Sequence, residues 1–234
     1  KGKGKGVGKG AGKAVVSRKL VIVESPAKAR TIRKILGADG AGYVVESCVG
    51  HVRDLPKTPK QVPERYKGEK WARMGVDVEN GFAPLYVMVE GKKKIVDGLK
   101  KCLKDADELI LATDGDREGE AISWHLVQLL KPSVPVRRAI FNEITPAAVK
   151  AACAAPPAPV DAALVEAQET RRVVDRLAGF AMSPVLWKKI APGLSAGRVQ
   201  SVALELVVEK ERRRLAFKGG EYWDVEARVE VVGG

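Results

Sequence analysis

Two stretches of this chain repeat one pattern, an apolar run that ends near an acid, then a turn, then a helix with an apolar stripe. In the first, KLVIVE (residues 19–24) leads into SPAKARTIRKIL. There Ser25 suits a cap, Pro26 suits the first helical turn, and Ile32, Ile35 and Leu36 supply the stripe. In the second, ELILAT (108–113) leads into DGDREGEAISWHLVQLL, with Ile122, Leu126, Leu129 and Leu130 on one helical face. Apolar runs without polar alternation are buried on both faces, so two such units predict a parallel sheet flanked by helices, an α/β fold. Between the units, residues 43–47 read as a strand, 56–66 as a Pro- and Lys-rich loop and 92–103 as a helix; residues 137–144, RRAIFNEI, read as a further strand.

The second turn carries Asp114, Asp116 and Glu118 at the end of its strand. That edge is where ligands bind in open α/β sheets, and acids converging there repel one another unless a hard cation such as Mg²⁺ neutralises them. Glu24 closes the other strand and would reach the same edge if the two strands are neighbours. Taken alone, an Asp-x-Asp turn is usually a solvated acidic loop, and Glu24 in the matching context weighs against that. Lys28 follows Glu24 by one helical turn, placed either to donate to a phosphate or to form an ordinary i,i+4 pair. His51, in GHVRDLP, sits where an imidazole can meet a phosphate or simply stay in water, with Arg53 and Asp54 able to pair locally. His125, inside a helix, reads as structural.

Net charge is +12, but seven of those charges lie in the first nineteen residues, KGKGKGVGKGAGKAVVSRK, leaving +5 for the remainder. A polyanionic partner is indicated, and a solvated Lys-rich arm over residues 1–18 produces most of the signal. Cys48, Cys102 and Cys153 form no CxxC pair, so neither a zinc site nor a disulfide framework is expected and a reducing compartment is the default. No apolar run approaches the roughly 20 residues of a membrane span. A chain that opens on Lys1 and closes on VEVVGG, with Val229, Val231 and Val232 still reading as a strand, is expected to be a piece of something longer.

The composition shifts at AACAAPPAPV (151–160), a linker signal. Beyond it, residues 161–190 have helical period, with Leu164, Val173, Val174 and Leu177 as core positions. Arg171, Arg172 and Arg176 project from this helix and Lys188 follows Trp187, an arrangement that suits a nucleic-acid backbone or a solvated face. In GLSAGRVQS, Gly193 and Gly197 let backbone approach a ligand while Ser195, Arg198 and Gln200 offer donors at a helix start, as in a phosphate cradle.

In order, VIVESPAKARTI, VGHVRDLP, LATDGDREGEAISWHL, FNEIT and LWKKIAPGLSAGRVQSVALELVVE resemble the amino-terminal part of a bacterial-type DNA topoisomerase of type IA, from residue 19 to about 224. The resemblance implies a Toprim domain with a central parallel sheet over 19–145, a linker over 146–160, and an incomplete, mainly helical DNA-binding domain over 161–234. It implies catalytic roles for Glu24, Lys28, Asp114, Asp116 and Glu118, with the four acids holding Mg²⁺ and Lys28 assisting the departing oxygen. His51, Arg171, Arg172, Arg176, Lys188 and the loop Ser195, Ala196, Gly197, Arg198, Val199 and Gln200 would contact DNA. The partner would be a single-stranded region of negatively supercoiled duplex, lying between the acidic edge and the Arg171 to Lys188 helix; a monomer is expected, with no membrane association.

The resemblance also defines a departure. In that family a tyrosine in an Arg-Thr-Asp-Ser setting attacks the phosphodiester and leaves a 5′-phosphotyrosyl link. Tyr43, Tyr66, Tyr86 and Tyr222 are the tyrosines here, and none has that setting. The segment is therefore expected to carry metal and phosphate chemistry without the nucleophile. A primase- or nuclease-type Toprim enzyme and a non-catalytic single-stranded DNA-binding module are the rivals.

Overall fold

The computed structural model describes residues 17–37, 42–155 and 158–230; the expected basic arm falls almost entirely outside them. In chain order the elements are β1 (Lys19–Val23), α1 (Pro26–Gly37), β2 (Tyr43–Ser47), β3 (Arg53–Asp54), β4 (Val76–Asp77), β5 (Ala83–Pro84), β6 (Val87–Met88), α2 (Lys93–Lys104), β7 (Glu108–Leu111), α3 (Arg117–Leu130), β8 (Val136–Arg138), α4 (Pro146–Ala154), α5 (Ala162–Lys189) and α6 (Leu204–Ala216). The chain divides into two compact units, residues 1–176 and 177–234.

The first unit is built on a four-stranded parallel sheet in the order β2-β1-β7-β8. Its two central strands are the two apolar runs, and their alternate residues part to opposite faces. Leu20, Ile22, Leu109 and Leu111 pack with Val96, Leu99, Ile122 and Leu126 beneath α2 and α3. Val21, Val23, Ile110 and Ala112 pack with Ile32, Leu36, Val149 and Cys153 beneath α1 and α4. The short strands β3 with β6 and β4 with β5 form two small antiparallel ladders in the connection before α2.

Several expectations need correcting. The strand expected over 137–144 is paired only at 136–138: β8 is an edge strand, and its partner β7 ends at Leu111, so Ile140 emerges 52% exposed. Part of the expected 146–160 linker is helix: Thr145 caps α4, its hydroxyl accepting from Ala148 N at 3.3 Å, and Val149, Ala152 and Cys153 are buried. On α5 the inward residues of the first unit are Val165, Gln168 and Val173, whereas Val174 is exposed. Polar pairing of Gln168 and Arg172 turns that face of the helix inward.

In the second unit, α5 runs through Pro184 to Lys189, a π-helical turn spans Arg198–Ala203, and α6 follows with no buried residue. Residues 217–230 form no regular element, so Val229 is not in a strand; Val231 and Val232 of the expected carboxyl-terminal strand lie outside the described residues.

Candidate metal and phosphate site

Register brings the two acidic turns together. Ile22 lies level with Leu111, and the N–H of Ala112 donates to Ile22 O at 2.8 Å, so β1 and β7 leave the sheet side by side. Glu24 follows β1 and Asp114 follows β7, and the Lys28 ammonium, delivered by the first turn of α1, contacts both carboxylates. Burial works to lower the pKa of Lys28, but Asp114 and Glu24 outweigh it and hold the ammonium above its ordinary value. The i,i+4 pair to Glu24 is present, and the same ammonium reaches across the sheet edge to Asp114.

The turn from 113 to 119 is held by its own hydrogen bonds. Asp116 is the cap of α3 and accepts from Gly119 N at 2.9 Å. The buried Thr113 hydroxyl donates to Gly119 O at 2.7 Å and lies 2.8 Å from the Ser123 hydroxyl. Gly119 itself is required by contact: a Cβ there would stand 2.1 Å from Asp114 O.

Glu118 faces a second cluster. Its Oε2 lies 3.2 Å from His51 Nε2 and accepts from Gln168 Nε2 at 3.2 Å, while Oε1 lies 3.7 Å from Arg171. These groups line a cavity of about 190 Å³ shared with Arg53, Asp54, Tyr86, His125 and Arg172. Arg53 does not pair with Asp54: its guanidinium lies over the Tyr86 and Trp124 rings, and Asp54 is held by Arg172 through hydrogen bonds of 2.7 and 3.0 Å. Burial pushes the Asp54 carboxyl up, but Arg172 outweighs it and the net shift is downward. Arg176 donates to Pro56 O at 3.0 Å. Gln168 lies one helical turn before Arg171 and Arg172, but its contact to Glu118 spans fifty residues and the Arg53 stack crosses from β3 to α3, so neither leaves a local signal in the sequence.

His125 is a core residue as expected, 2% exposed and packed edge-on against Tyr86 at 4.5 Å and Trp124 at 4.9 Å. Burial first, then Arg53 and His51, lowers its pKa to about 3, against the opposing pull of Asp54. The unfolded chain thus takes up a proton near pH 6.5 that the folded chain refuses, so stability falls as pH drops from about 6.5 toward 3. His125→Phe should flatten the melting temperature over that window; an unchanged slope would remove His125 from the account.

Among the described residues, no three His, Cys, Asp or Glu side chains converge as a metal-holding group. The acids divide instead: Glu24 and Asp114 meet around Lys28, Asp116 caps α3, and Glu118 turns to His51, Gln168 and Arg171. The donor set still suits a hard cation, because Glu24 Oε2 is buried without a hydrogen-bond partner, and a divalent ion would satisfy it.

In the second unit, Lys188 is exposed in the last turn of α5. The glycine-bordered loop closes on itself, Gln200 Nε2 donating to Ser195 Oγ at 3.2 Å, Gly197 N to Ser201 Oγ at 3.4 Å and Ala196 N to Ser183 Oγ at 3.3 Å. Gly193 has φ +80°, and a Cβ at Gly197 would meet the Gln200 amide at 2.5 Å. Arg198 and Val199 begin the π-helical turn and are exposed.

The chain is similar to proteins already known. The Toprim domain model matches residues 19–144, and a DNA topoisomerase model matches residues 159–234. The chain is 62% identical over 219 residues to DNA topoisomerase 1 of Synechococcus elongatus and 58% identical over 214 residues to that of Mycolicibacterium smegmatis. Each match covers 92% of the chain but only 24% and 22% of those relatives. It is also similar to the crystal structure of full-length topoisomerase I from Thermotoga maritima, with a TM-score of 0.65 and 41% identity, covering 85% of this chain and 31% of that one.

Proposed function

The chain belongs to the Toprim family, and from that membership we propose that it carries the metal and phosphate chemistry of a type IA DNA topoisomerase, an enzyme that breaks one DNA strand, passes another through and rejoins it. The observation that carries the reading is the meeting of Glu24 and Asp114 around Lys28 at the carboxyl edge of a parallel sheet. Toprim domains generally bind Mg²⁺, and Glu24, Asp114, Asp116 and Glu118 are the residues that would hold it. Bound there, the ion would supply positive charge beside a phosphodiester and favour resealing.

The chain's own residues have distinct parts in this reading. Lys28, charged at neutral pH, gives a proton to the oxygen that departs as its bond to phosphorus breaks and the attacking hydroxyl's oxygen bonds to phosphorus in its place, while Glu24 beside it takes up the proton of that hydroxyl. His51 and Arg171, presently held by Glu118, offer donors to a neighbouring phosphate; Arg172, held by Asp54, and Arg176, on the Pro56 carbonyl, would reach DNA only by giving up those partners. Within the second unit by itself, Lys188 and residues 195–200 offer donors to a phosphate. Such phosphate contacts weaken with salt, log K falling by roughly 0.7 per contact for each tenfold rise in salt on single strands. The attacking tyrosine is not among residues 1–234 in the expected Arg-Thr-Asp-Ser setting.

The test has two arms. The complete gene product should form a covalent adduct with a single-stranded oligonucleotide, and its failure to do so removes the topoisomerase reading. The 234-residue chain alone should bind single-stranded DNA with Mg²⁺ present and leave it uncut. Strand scission by the chain alone, abolished by Asp114→Ala, would instead make it a nuclease.

A further inference from the structure

The acids at the sheet edge need a rigid support, and the ladder does not supply one. Pairing between β7 and β8 ends at Leu111 and Arg138, so the backbone of Thr113 and Asp114 runs on without a strand neighbour. The Arg138 side chain takes that neighbour's place. Its guanidinium donates to the carbonyls of Leu111, Thr113 (3.2 Å) and Asp114 (3.1 Å), and through Nε to Glu120 Oε1 at 2.8 Å. Both side chains of the pair are 1% exposed. The other carboxylate oxygen of Glu120 accepts from Asp161 N at 3.0 Å, and Asp161 in turn caps the start of α5 by accepting from Ala163 N and Leu164 N at 2.9 and 3.1 Å.

We infer that Arg138 and Glu120 are positioning residues: they hold the carbonyls of the acidic turn and so set where Asp114 presents its carboxylate, and they tie that turn to the origin of the α5 helix. The inference rests on the proposed metal role of Asp114. A buried ion pair is in itself a poor source of stability, and apolar residues of similar volume often replace one without loss. An apolar pair cannot hold the Thr113 and Asp114 carbonyls. Folding and positioning are therefore separable: a replacement that restores packing restores the fold and leaves the turn loose. Partners of this kind behind metal ligands typically change metal affinity by roughly 10–100-fold when removed.

The experiment compares the chain with Arg138→Met/Glu120→Leu and with Arg138→Lys, which keeps the charge but not the planar fork. Two quantities are read: amide hydrogen exchange without metal, and Mg²⁺ affinity by competition against Mn²⁺. The expected result for whichever variant folds is exchange accelerated about tenfold or more at residues 115–120 with the β1 amides unchanged, and Mg²⁺ bound about 10–100-fold more weakly. Exchange in the turn that stays at the parent rate, or rises equally in β1, overturns the inference. So does Mg²⁺ affinity within twofold of a parent that binds it. If the parent chain binds no Mg²⁺, the metal reading of the acids fails, and the exchange rates still decide whether the pair holds the turn.

Discussion

Arg138→Ala is expected to destabilise the first unit by about 3–5 kcal/mol, because it leaves the Glu120 carboxylate charged, 1% exposed and without its partner. Three carbonyls lose a donor in the same step. Against a typical domain stability of about 5–15 kcal/mol this is a large fraction, and for a chain of this size it lowers the melting temperature by roughly 6–20 °C. Urea unfolding of parent and variant measures it. A loss below about 1 kcal/mol would mean that water reaches the pair and that the burial is not maintained in solution. The contrast with the double apolar replacement is informative: removing one partner strands a charge, whereas replacing both removes the demand for one.

Gly119→Ala should separate stability from site geometry in the opposite sense. The added Cβ would stand 2.1 Å from Asp114 O and 2.8 Å from Asp114 N, and these are backbone atoms that cannot rotate away. Asp114 has to move by about 1 Å to reach ordinary contact, or the first turn of α3 must unwind and give up the Asp116 cap. Overpacking of this size destabilises by about 1–3 kcal/mol, a modest loss. Displacing a positioned group by about 1 Å can slow a reaction roughly 100-fold. If the proposed function holds, the Mg²⁺-dependent rejoining rate of the complete gene product should fall by that order while the chain still folds. Rejoining at the parent rate would show that Asp114 does not need the position described here. Gly115 offers a contrast: a Cβ there meets the Ile140 side chain at 2.6 Å and no backbone atom, and Ile140 is half exposed, so Gly115→Ala should cost less than Gly119→Ala.

The two central strands, the two helices that follow them and the acids at their ends were readable because each depends on near neighbours in the chain. Residues 20–23 and 109–112 are short apolar runs bounded by charged and turn-forming residues, which favours a strand buried on both faces, and a helix with a capped start follows each. The shortened β8 and the helix at 146–154 were not readable. The strand length depended on where β7 stopped, and an Ala-rich stretch before Pro156 is compatible with helix or linker until something buries Val149 and Cys153. On α5, hydrophobic period pointed to Val174, and the helix instead buries Gln168 because Glu118 is there to receive it.

The candidate site divides along the same line. Residue identity and short-range spacing determined which groups are available: carboxylates at 24, 114, 116 and 118, an ammonium one turn after the first, and arginines on one helix. Only the tertiary structure decided their pairings, because those are settled between elements far apart in the chain. Strand register set Lys28 between Glu24 and Asp114, and the packing of α5 drew Glu118 toward His51 and Arg171 and Asp54 toward Arg172 rather than its neighbour Arg53. Arg138 and Glu120 show the difference most plainly. In sequence each is one more charge in a charged segment; buried together they have to satisfy one another, and in doing so they hold the turn on which the acids stand.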